Sequence, residues 1–178
     1  MQRRFVLKSG LILAALGVAG CAQQEEGADI VDIISSSPNH TTLTQAVAAS
    51  GLIPTLKGEG PFTVFAPDDA AFDKLPGNIV ANVTKPANRA LLQEVLEYHV
   101  VPGLITSDQV LGQRLTVTTV NGQDIVVDGR GGGKSGPGVT VNGCNVVQPD
   151  ILATNGVIHS IDCVLVPEVS APAVAALR

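Results

Sequence analysis

Aromatic side chains are scarce in this sequence. Of its 178 residues, four are phenylalanine, one is tyrosine and none is tryptophan. Because 45% of the residues are nevertheless hydrophobic, the interior has to be built from Val, Ile, Leu and Ala, and branched aliphatic side chains favour β-sheet. The length is typical of one domain around one core.

Positive charge is also limited. The chain has 11 Lys and Arg against 16 Asp and Glu, which gives a formal charge of −5 at pH 7. Basic residues cluster only near the start, at Arg3, Arg4 and Lys8. A surface that follows nucleic-acid phosphates needs a larger basic patch. We therefore expect no nucleic-acid partner.

The first apolar run is too short to cross a membrane. Residues 11–19 suit the hydrophobic region of a signal peptide, but not a helix through about 30 Å of hydrocarbon. Residues 1–20 are therefore predicted to be a cleaved signal. Their removal leaves 8 basic against 16 acidic residues, a formal charge of −8.

Two motifs within the signal predict how the protein is exported and held. Residues 3–8 (Arg-Arg-Phe-Val-Leu-Lys) resemble a twin-arginine signal, with a general secretory signal as the alternative. Residues 18–21 (Val-Ala-Gly-Cys) resemble a bacterial lipobox, in which the cysteine sulfur and usually the new amino terminus are acylated. Because several acyl chains make a stable anchor, we expect a membrane as partner, attached through Cys21.

The residues after Cys21 indicate where the domain is held. Residues 22–28 are small and polar and suit a flexible tether. We expect an exported protein, lipid-anchored to the cell envelope on its periplasmic or cell-surface face. Ala22, in place of Asp, favours the outer membrane if the organism has one.

Only three cysteines occur in the chain. If Cys21 carries lipid, Cys144 and Cys163 remain as an even pair, and the oxidising space outside the cytoplasm permits a disulfide between them. Closing a loop of about 20 residues would stabilise the fold by roughly 3 kcal/mol. The alternative is two separate buried thiols.

Helical spacing dominates the first half of the domain. Isoleucines within residues 30–34 have i, i+3, i+4 spacing behind Asp29, a predicted N-cap. A second helix is predicted through residues 43–50 and ends at Gly51, and a longer one through residues 89–97.

Strand patterns dominate the second half. Residues 115–119 and 123–127 alternate around an Asn-Gly pair, which predicts a hairpin. Helices that precede strands in this way indicate an α+β fold. The predicted strands are residues 62–65, 115–119, 123–127, 139–141, 144–147 and 157–165.

Three separated segments resemble the fasciclin family. They are residues 60–72, which begin Gly-Pro-Phe-Thr-Val-Phe-Ala-Pro-Asp-Asp, residues 98–103, Tyr-His-Val-Val-Pro-Gly, and residues 155–167, which begin Asn-Gly-Val-Ile-His-Ser-Ile-Asp. Their order and spacing also fit the family. The resemblance predicts a fasciclin-type domain over residues 29–167, followed by a frayed tail over residues 168–178.

The resemblance implies both a fold and a class of function. The fold is a wedge-shaped mixed β-sandwich of about seven strands with short helices at one end. The function is adhesion or extracellular matrix interaction, without catalytic residues or a cofactor. In animal members the Tyr-His segment is associated with integrin binding, a partner that we do not expect for a bacterial lipoprotein.

Matching residues to the family suggests a candidate binding surface. Tyr98, His99 and Pro102 lie in the Tyr-His segment, and Asp68 lies within the first segment, in the loop after its predicted strand. Each has a structural alternative. Tyr98 stands at a predicted helix end, where partial burial is equally expected, and Asp68 or Asp69 can cap a short helix.

Motifs for catalysis, nucleotides and metals are incomplete. Residues 131–136 match G-x-G-x-x-G but lead into a strand instead of opening a helix, so a mobile loop is expected instead of a phosphate site. The three histidines, His40, His99 and His159, lack the close spacing of a local metal site. We expect His159 to be a buried, hydrogen-bonded core residue. No G-x-S-x-G motif supports a hydrolase.

The leading functional hypothesis is a membrane-tethered, non-catalytic module that binds a protein or a cell-surface polysaccharide outside the cytoplasm. A structural envelope protein without a specific ligand is the first alternative. A periplasmic thiol-redox protein that uses Cys144 and Cys163 is the second, although no C-x-x-C motif is present.

Overall fold

A computed structural model describes residues 27–75, 85–131 and 138–167 of the chain. The predicted signal peptide, Cys21, most of the tether, most of the glycine-rich motif and the predicted frayed tail lie outside the described residues. The predictions made for those segments therefore stay predictions.

Short helices and strands alternate along the described residues. The helices are α1 (Ile30–Ser36), α2 (Thr41–Ser50), α3 (Ile53–Leu56), α4 (Asp69–Asp73), α5 (Arg89–Tyr98) and α6 (Ser107–Val110). The strands are β1 (Phe62–Pro67), β2 (Val100–Pro102), β3 (Arg114–Thr118), β4 (Asp124–Asp128), β5 (Thr140–Val141), β6 (Cys144–Ala153) and β7 (Gly156–Ile161). Within the described ranges, no helix has both the length and the apolar character needed to span a bilayer.

The strands form one mixed, seven-stranded sheet in the order β2-β1-β7-β6-β5-β4-β3. The first and last strands of the described residues, β1 and β7, pair in parallel, whereas the other neighbours are antiparallel. Two shifts of register interrupt the pairing of β6 with β7, and such irregularities bend a strand. The sheet remains open, and the predicted α+β fold of about seven strands with short helices is confirmed.

Two apolar cores lie on the two faces of the β1–β2–β7 half. In the first core the helices pack against this half, and its members are Ile30, Ile34, Leu43, Ala46, Val47, Leu52, Leu56, Val64, Ala66, Leu92, Leu96, Val100 and Ile158. The second core joins side chains of β1 and β7, such as Phe65 and Ile161, to side chains of β4 and β5, such as Ile125 and Val141. The half of the sheet formed by β1, β2 and β7 therefore faces the half that contains β4 and β5 across the second core.

The helix ends follow the local signals in the sequence. Asp29 caps α1, since its carboxylate accepts a hydrogen bond from the backbone N–H of Asp32 at 2.8 Å. Gly51 ends α2 in the left-handed conformation, with φ of 79°. Of the two aspartates that could cap the next short helix, Asp68 and Asp69, the structure shows Asp68 as the cap of α4. Its carboxylate accepts a hydrogen bond from the N–H of Ala71.

Strands β6 and β7 differ most from their predicted lengths. Strand β6 continues to Ala153 instead of ending near residue 147, because its register shifts interrupt the alternation that marks a strand in sequence. Strand β7 ends at Ile161 instead of Leu165. Beyond its end the chain turns, and the N–H of Leu165 donates to a ring nitrogen of His99.

Candidate functional site

An open groove of about 920 Å³ lies on the outer face of strands β3, β4 and β5. Alternation along β4 creates it, because Ile125 and Val127 enter the second core while the residues between and beside them point outward. We call it the β3–β5 groove. Its lining residues are Tyr98, Arg114, Gln123, Asp124, Val126, Asp128, Thr140, Asn142, Gly143 and Val166.

Tyr98 reaches this groove only through its hydroxyl. The residue is 4% exposed and its ring belongs to the second core. The hydroxyl accepts a hydrogen bond from Asn142 Nδ2 at 2.8 Å and donates to the carbonyl of Asp124 at 3.3 Å. The structure thus corrects the expectation of a Tyr98 side chain on the surface, because packing of the helix end against the sheet covers the ring.

His99 is also buried, with 3% exposure. Its Nε2 accepts a hydrogen bond from the N–H of Leu165 at 3.0 Å, so Nδ1 carries the proton and donates to the carbonyl of Val95 at 2.6 Å. Burial lowers the pKa of His99 to about 4. A buried, neutral imidazole whose two nitrogens are both hydrogen-bonded within the domain is not available to a partner. The structure therefore corrects the prediction that His99 belongs to a binding surface.

Pro102 and Asp68 lie at the surface but far from each other. Pro102 is exposed and pairs with Phe62 at the start of β1, whereas the half-buried Asp68 follows Pro67 at its end. Six residues of strand separate them, which is roughly 20 Å. The four predicted surface residues therefore do not form one site.

Charged groups in the β3–β5 groove are held in place by hydrogen bonds. Arg130 binds Asp128 through two of its nitrogens, at 3.0 and 2.7 Å, and its hydrogen bonds and charge lower the pKa of Asp128 to about 2. Thr118 donates to the Asp124 carboxylate at 2.7 Å. Arg114, which is exposed, adds a positive charge opposite Asp128 in the strand register.

The described lining of the groove is mostly polar. It consists of carboxylates, amides, hydroxyls, one guanidinium, two valines and a glycine. Carboxylates and amides accept and donate hydrogen bonds to the amides or hydroxyls of a ligand. The groove therefore has the chemistry of a recognition surface.

The other two histidines are buried structural residues. His159 donates from Nε2 to the carbonyl of Ile105 at 2.8 Å and accepts at Nδ1 from the N–H of Asp150 at 3.2 Å. Its ring also stacks on Phe65, with centroids 5.6 Å apart, which confirms the predicted buried histidine. His40 bonds to two serine hydroxyls. Burial lowers the pKa of both rings.

No metal-binding cluster is apparent in the part of the chain that the structure describes. Across these ranges, no three His, Cys, Asp or Glu side chains are grouped so that they could hold an ion.

A disulfide joins Cys144 to Cys163, with Cα atoms 5.5 Å apart. Cys144 is 5% exposed within the second core, and Cys163 packs against the same core. The bond ties the start of β6 to the segment that follows β7.

Reasoning from the sequence missed the groove residues. Asn142 lies in the turn between β5 and β6, and its side chain accepts from the N–H of Val126 at 2.8 Å and donates to Tyr98. The outward positions of β4, Asp124 and Asp128, were visible in the alternation. Asp124, Asp128 and Asn142 share one concave face only because of the way β4 and β5 pair. That pairing could not be predicted from the sequence.

Comparison with known proteins gives consistent results. Residues 38–167 match the sequence model of the fasciclin domain. The chain is 39% identical over 153 residues to Protein sll1483 of Synechocystis sp., covering 84% of this chain and 79% of that protein. It is 35% identical over 138 residues to immunogenic protein MPB70 of Mycobacterium bovis, covering 75% and 66%. It is 32% identical over 143 residues to human periostin, covering 80% of this chain but 16% of periostin.

A solved structure shows the same fold. The fasciclin (FAS1) domain pair of the insect cell adhesion molecule fasciclin I aligns with a TM-score of 0.67 at 20% identity. The alignment covers 79% of this chain and 51% of the insect chain.

Proposed function

This chain belongs to the fasciclin family, and on that premise we propose that it is an interaction module tethered to a membrane through an acylated Cys21. It binds a protein or a cell-surface polysaccharide through the β3–β5 groove. The family is non-catalytic and of the adhesion type, and fasciclin I, whose solved domain pair has the same fold, is an insect cell adhesion molecule. An exported location suits a module of this type.

The geometry of the β3–β5 groove carries the proposal. Its side chains are fixed before any ligand arrives, since Asp128, Asp124 and Asn142 each have a hydrogen-bond partner within the domain. A pre-ordered surface binds with a smaller loss of side-chain entropy than a mobile one. The volume of about 920 Å³ is large enough for several residues of a partner.

The lining favours a protein over a polysaccharide. Sugars commonly stack on the face of an aromatic ring. Among the described lining residues the one aromatic residue is Tyr98, which presents its hydroxyl while its ring is buried. Carboxylates, amides and Arg114 suit the peptide groups and charges of a protein surface.

Capture of a partner from the native envelope tests the proposal. We would compare the protein with Asp124→Ala and with Arg114→Ala, two exposed residues of the β3–β5 groove. Asp73→Ala, an exposed aspartate at the end of α4, is the matched control.

Saturable capture of a defined protein or polysaccharide, at least fivefold weaker with the groove variants and unchanged with the control, is the expected result. Equal capture by all variants would place binding elsewhere on the domain. Absence of saturable capture by folded protein would favour a structural envelope role.

A further inference from the structure

One end of the sheet brings four strand ends together. Strands β1 and β7 begin there, and β2 and β6 end there. Phe62 pairs with Pro102 on one side and with Gly156 on the other, and Gly156 pairs with Ala153. Because neighbouring strands are about 4.8 Å apart, the four ends lie side by side over about 15 Å.

Exposed apolar side chains collect at this end. Leu152 is 70% exposed, more than any other large hydrophobic residue in the described ranges, and Leu104 is 45% exposed. We call this surface the apolar end. Its members are Pro61, Pro102, Leu104 and Leu152.

Leu104 and Leu152 border the same face of the sheet. Leu152 pairs with Val157, which pairs with Thr63, so the three side chains point to one side. The Thr63 hydroxyl donates to the carbonyl of the residue before Leu104 at 2.7 Å and accepts from the N–H of the residue after it at 2.9 Å. Those bonds hold Leu104 beside that face.

The amino-terminal segment enters the domain at the apolar end. The carbonyl of Ala28 accepts a hydrogen bond from the N–H of Thr154 at 3.1 Å, and Thr154 lies in the turn between β6 and β7. Six Cα-to-Cα steps separate Gly27 from Cys21, so the Cα atom of the residue that is proposed to carry lipid is no more than about 22 Å from that of Gly27. The apolar end therefore lies at the point where the tether from the anchor joins the domain.

We propose that the apolar end rests on the bilayer that holds Cys21, with Leu152 and Leu104 in the interfacial layer. This inference rests on the acylated Cys21 of the proposed function. A short tether keeps the apolar end at a high local concentration near lipid, so even weak apolar contact is populated. Glu59, an exposed acid two residues before Pro61, suits zwitterionic headgroups better than anionic ones.

This orientation leaves the β3–β5 groove accessible. Val166, which lines the groove, follows the far end of β7, whereas the apolar end lies at its start. Six residues of strand separate the two ends by roughly 20 Å. Docking on lipid therefore points the groove away from the bilayer.

Tryptophan fluorescence tests this docking, because the natural chain contains no tryptophan. We would reconstitute the full lipidated protein into phosphatidylcholine vesicles with brominated acyl chains, which quench only fluorophores that touch lipid. The probes are Leu152→Trp and, in a second protein, Leu104→Trp. The control is Val166→Trp, at a position 45% exposed in the β3–β5 groove.

Quenching at positions 152 and 104 that is at least twofold stronger than at position 166 is the expected result. Equal or negligible quenching at all three positions, in protein that floats with the vesicles, would overturn the docking but not the lipid anchor. Protein that fails to float has no anchor, and that outcome would overturn both proposals.

Discussion

At the scale of single residues, His99 is placed so that only its neutral form fits. Its Nε2 accepts a hydrogen bond from the N–H of Leu165. If Nε2 were protonated, two N–H donors would point at each other, with their nitrogens 3.0 Å apart. Burial also lowers its pKa to about 4. The imidazole therefore acts as a fixed connection between helix α5 and the end of the domain.

This placement predicts a loss of stability in mild acid. Since the pKa is about 6.5 in the unfolded chain and about 4 in the folded one, the unfolded state binds more protons between these values. The contribution of His99 to the free energy of unfolding is therefore fully present above pH 6.5. It decreases as the pH falls to 4, by up to about 3 kcal/mol. Urea unfolding at pH 7 and at pH 4.5 measures the difference.

The variant His99→Gln provides the control for this effect. It should be less stable than the natural protein at pH 7, since it disturbs two buried hydrogen bonds, yet its stability should depend less on pH. Some dependence remains, because burial also lowers the pKa of His40 and His159. An equally steep dependence in His99→Gln would show that another group is responsible.

At the scale of elements, the start of helix α2 is capped from outside its own sequence. Its N-cap residue, His40, makes no capping bond with its side chain. Instead, the Asp69 carboxylate accepts from the N–H of Thr42 at 2.8 Å, and from the N–H and hydroxyl of Thr41 at 3.2 and 2.8 Å. Burial alone would raise the pKa of Asp69, but these hydrogen bonds outweigh it and lower the pKa.

Asp69→Ala should therefore destabilise the domain by about 1–2 kcal/mol, the typical loss for a helix cap. Asp73→Ala, at the exposed end of the same short helix α4, should change stability by less than about 0.5 kcal/mol. Denaturant midpoints of the two variants give the comparison. Equal midpoints would mean that water replaces the Asp69 carboxylate at no cost.

Helix ends and turns that are set by residues close together in the sequence could be predicted. Features that are set by contacts between residues far apart in the sequence could not. The caps at Asp29 and Gly51 and the hairpin of β3 and β4 follow from residues within a few positions of one another. The bond from Asp69 to α2 spans 27 residues, and the length of β6 is set by its pairing with β7. No local pattern encodes such contacts.

The same distinction explains the candidate site. Tyr98 and His99 were selected through the family resemblance, and the position of Tyr98 at a predicted helix end made partial burial an equal alternative for that residue. The β3–β5 groove arises where three strands and a turn meet, so its residues had no shared signal in the sequence.

At the scale of the whole molecule, the disulfide connects the middle strand of the sheet to the end of the domain. It joins two cysteines that are 19 positions apart in the sequence. Replacing both cysteines with alanine should lower the free energy of unfolding by about 3 kcal/mol, mainly by freeing the unfolded chain. Thermal or denaturant unfolding of the variant and of the natural protein measures this loss.

Thiol labelling after mild reduction separates a structural bond from a redox pair. Because Cys144 is 5% exposed, its thiol should react slowly until denaturant is added. Rapid labelling of the folded, reduced protein would favour the thiol-redox alternative.

The position of β7 also has a consequence for synthesis. This last strand lies between β1 and β6, so each of them lacks a hydrogen-bonding neighbour on one side until residues 156–161 have been made. A nascent chain still attached to the ribosome near that point cannot complete its sheet. The domain can finish folding only after nearly all of it has been translated, so a premature stop codon before β7 removes a strand from the interior of the sheet and not from its edge.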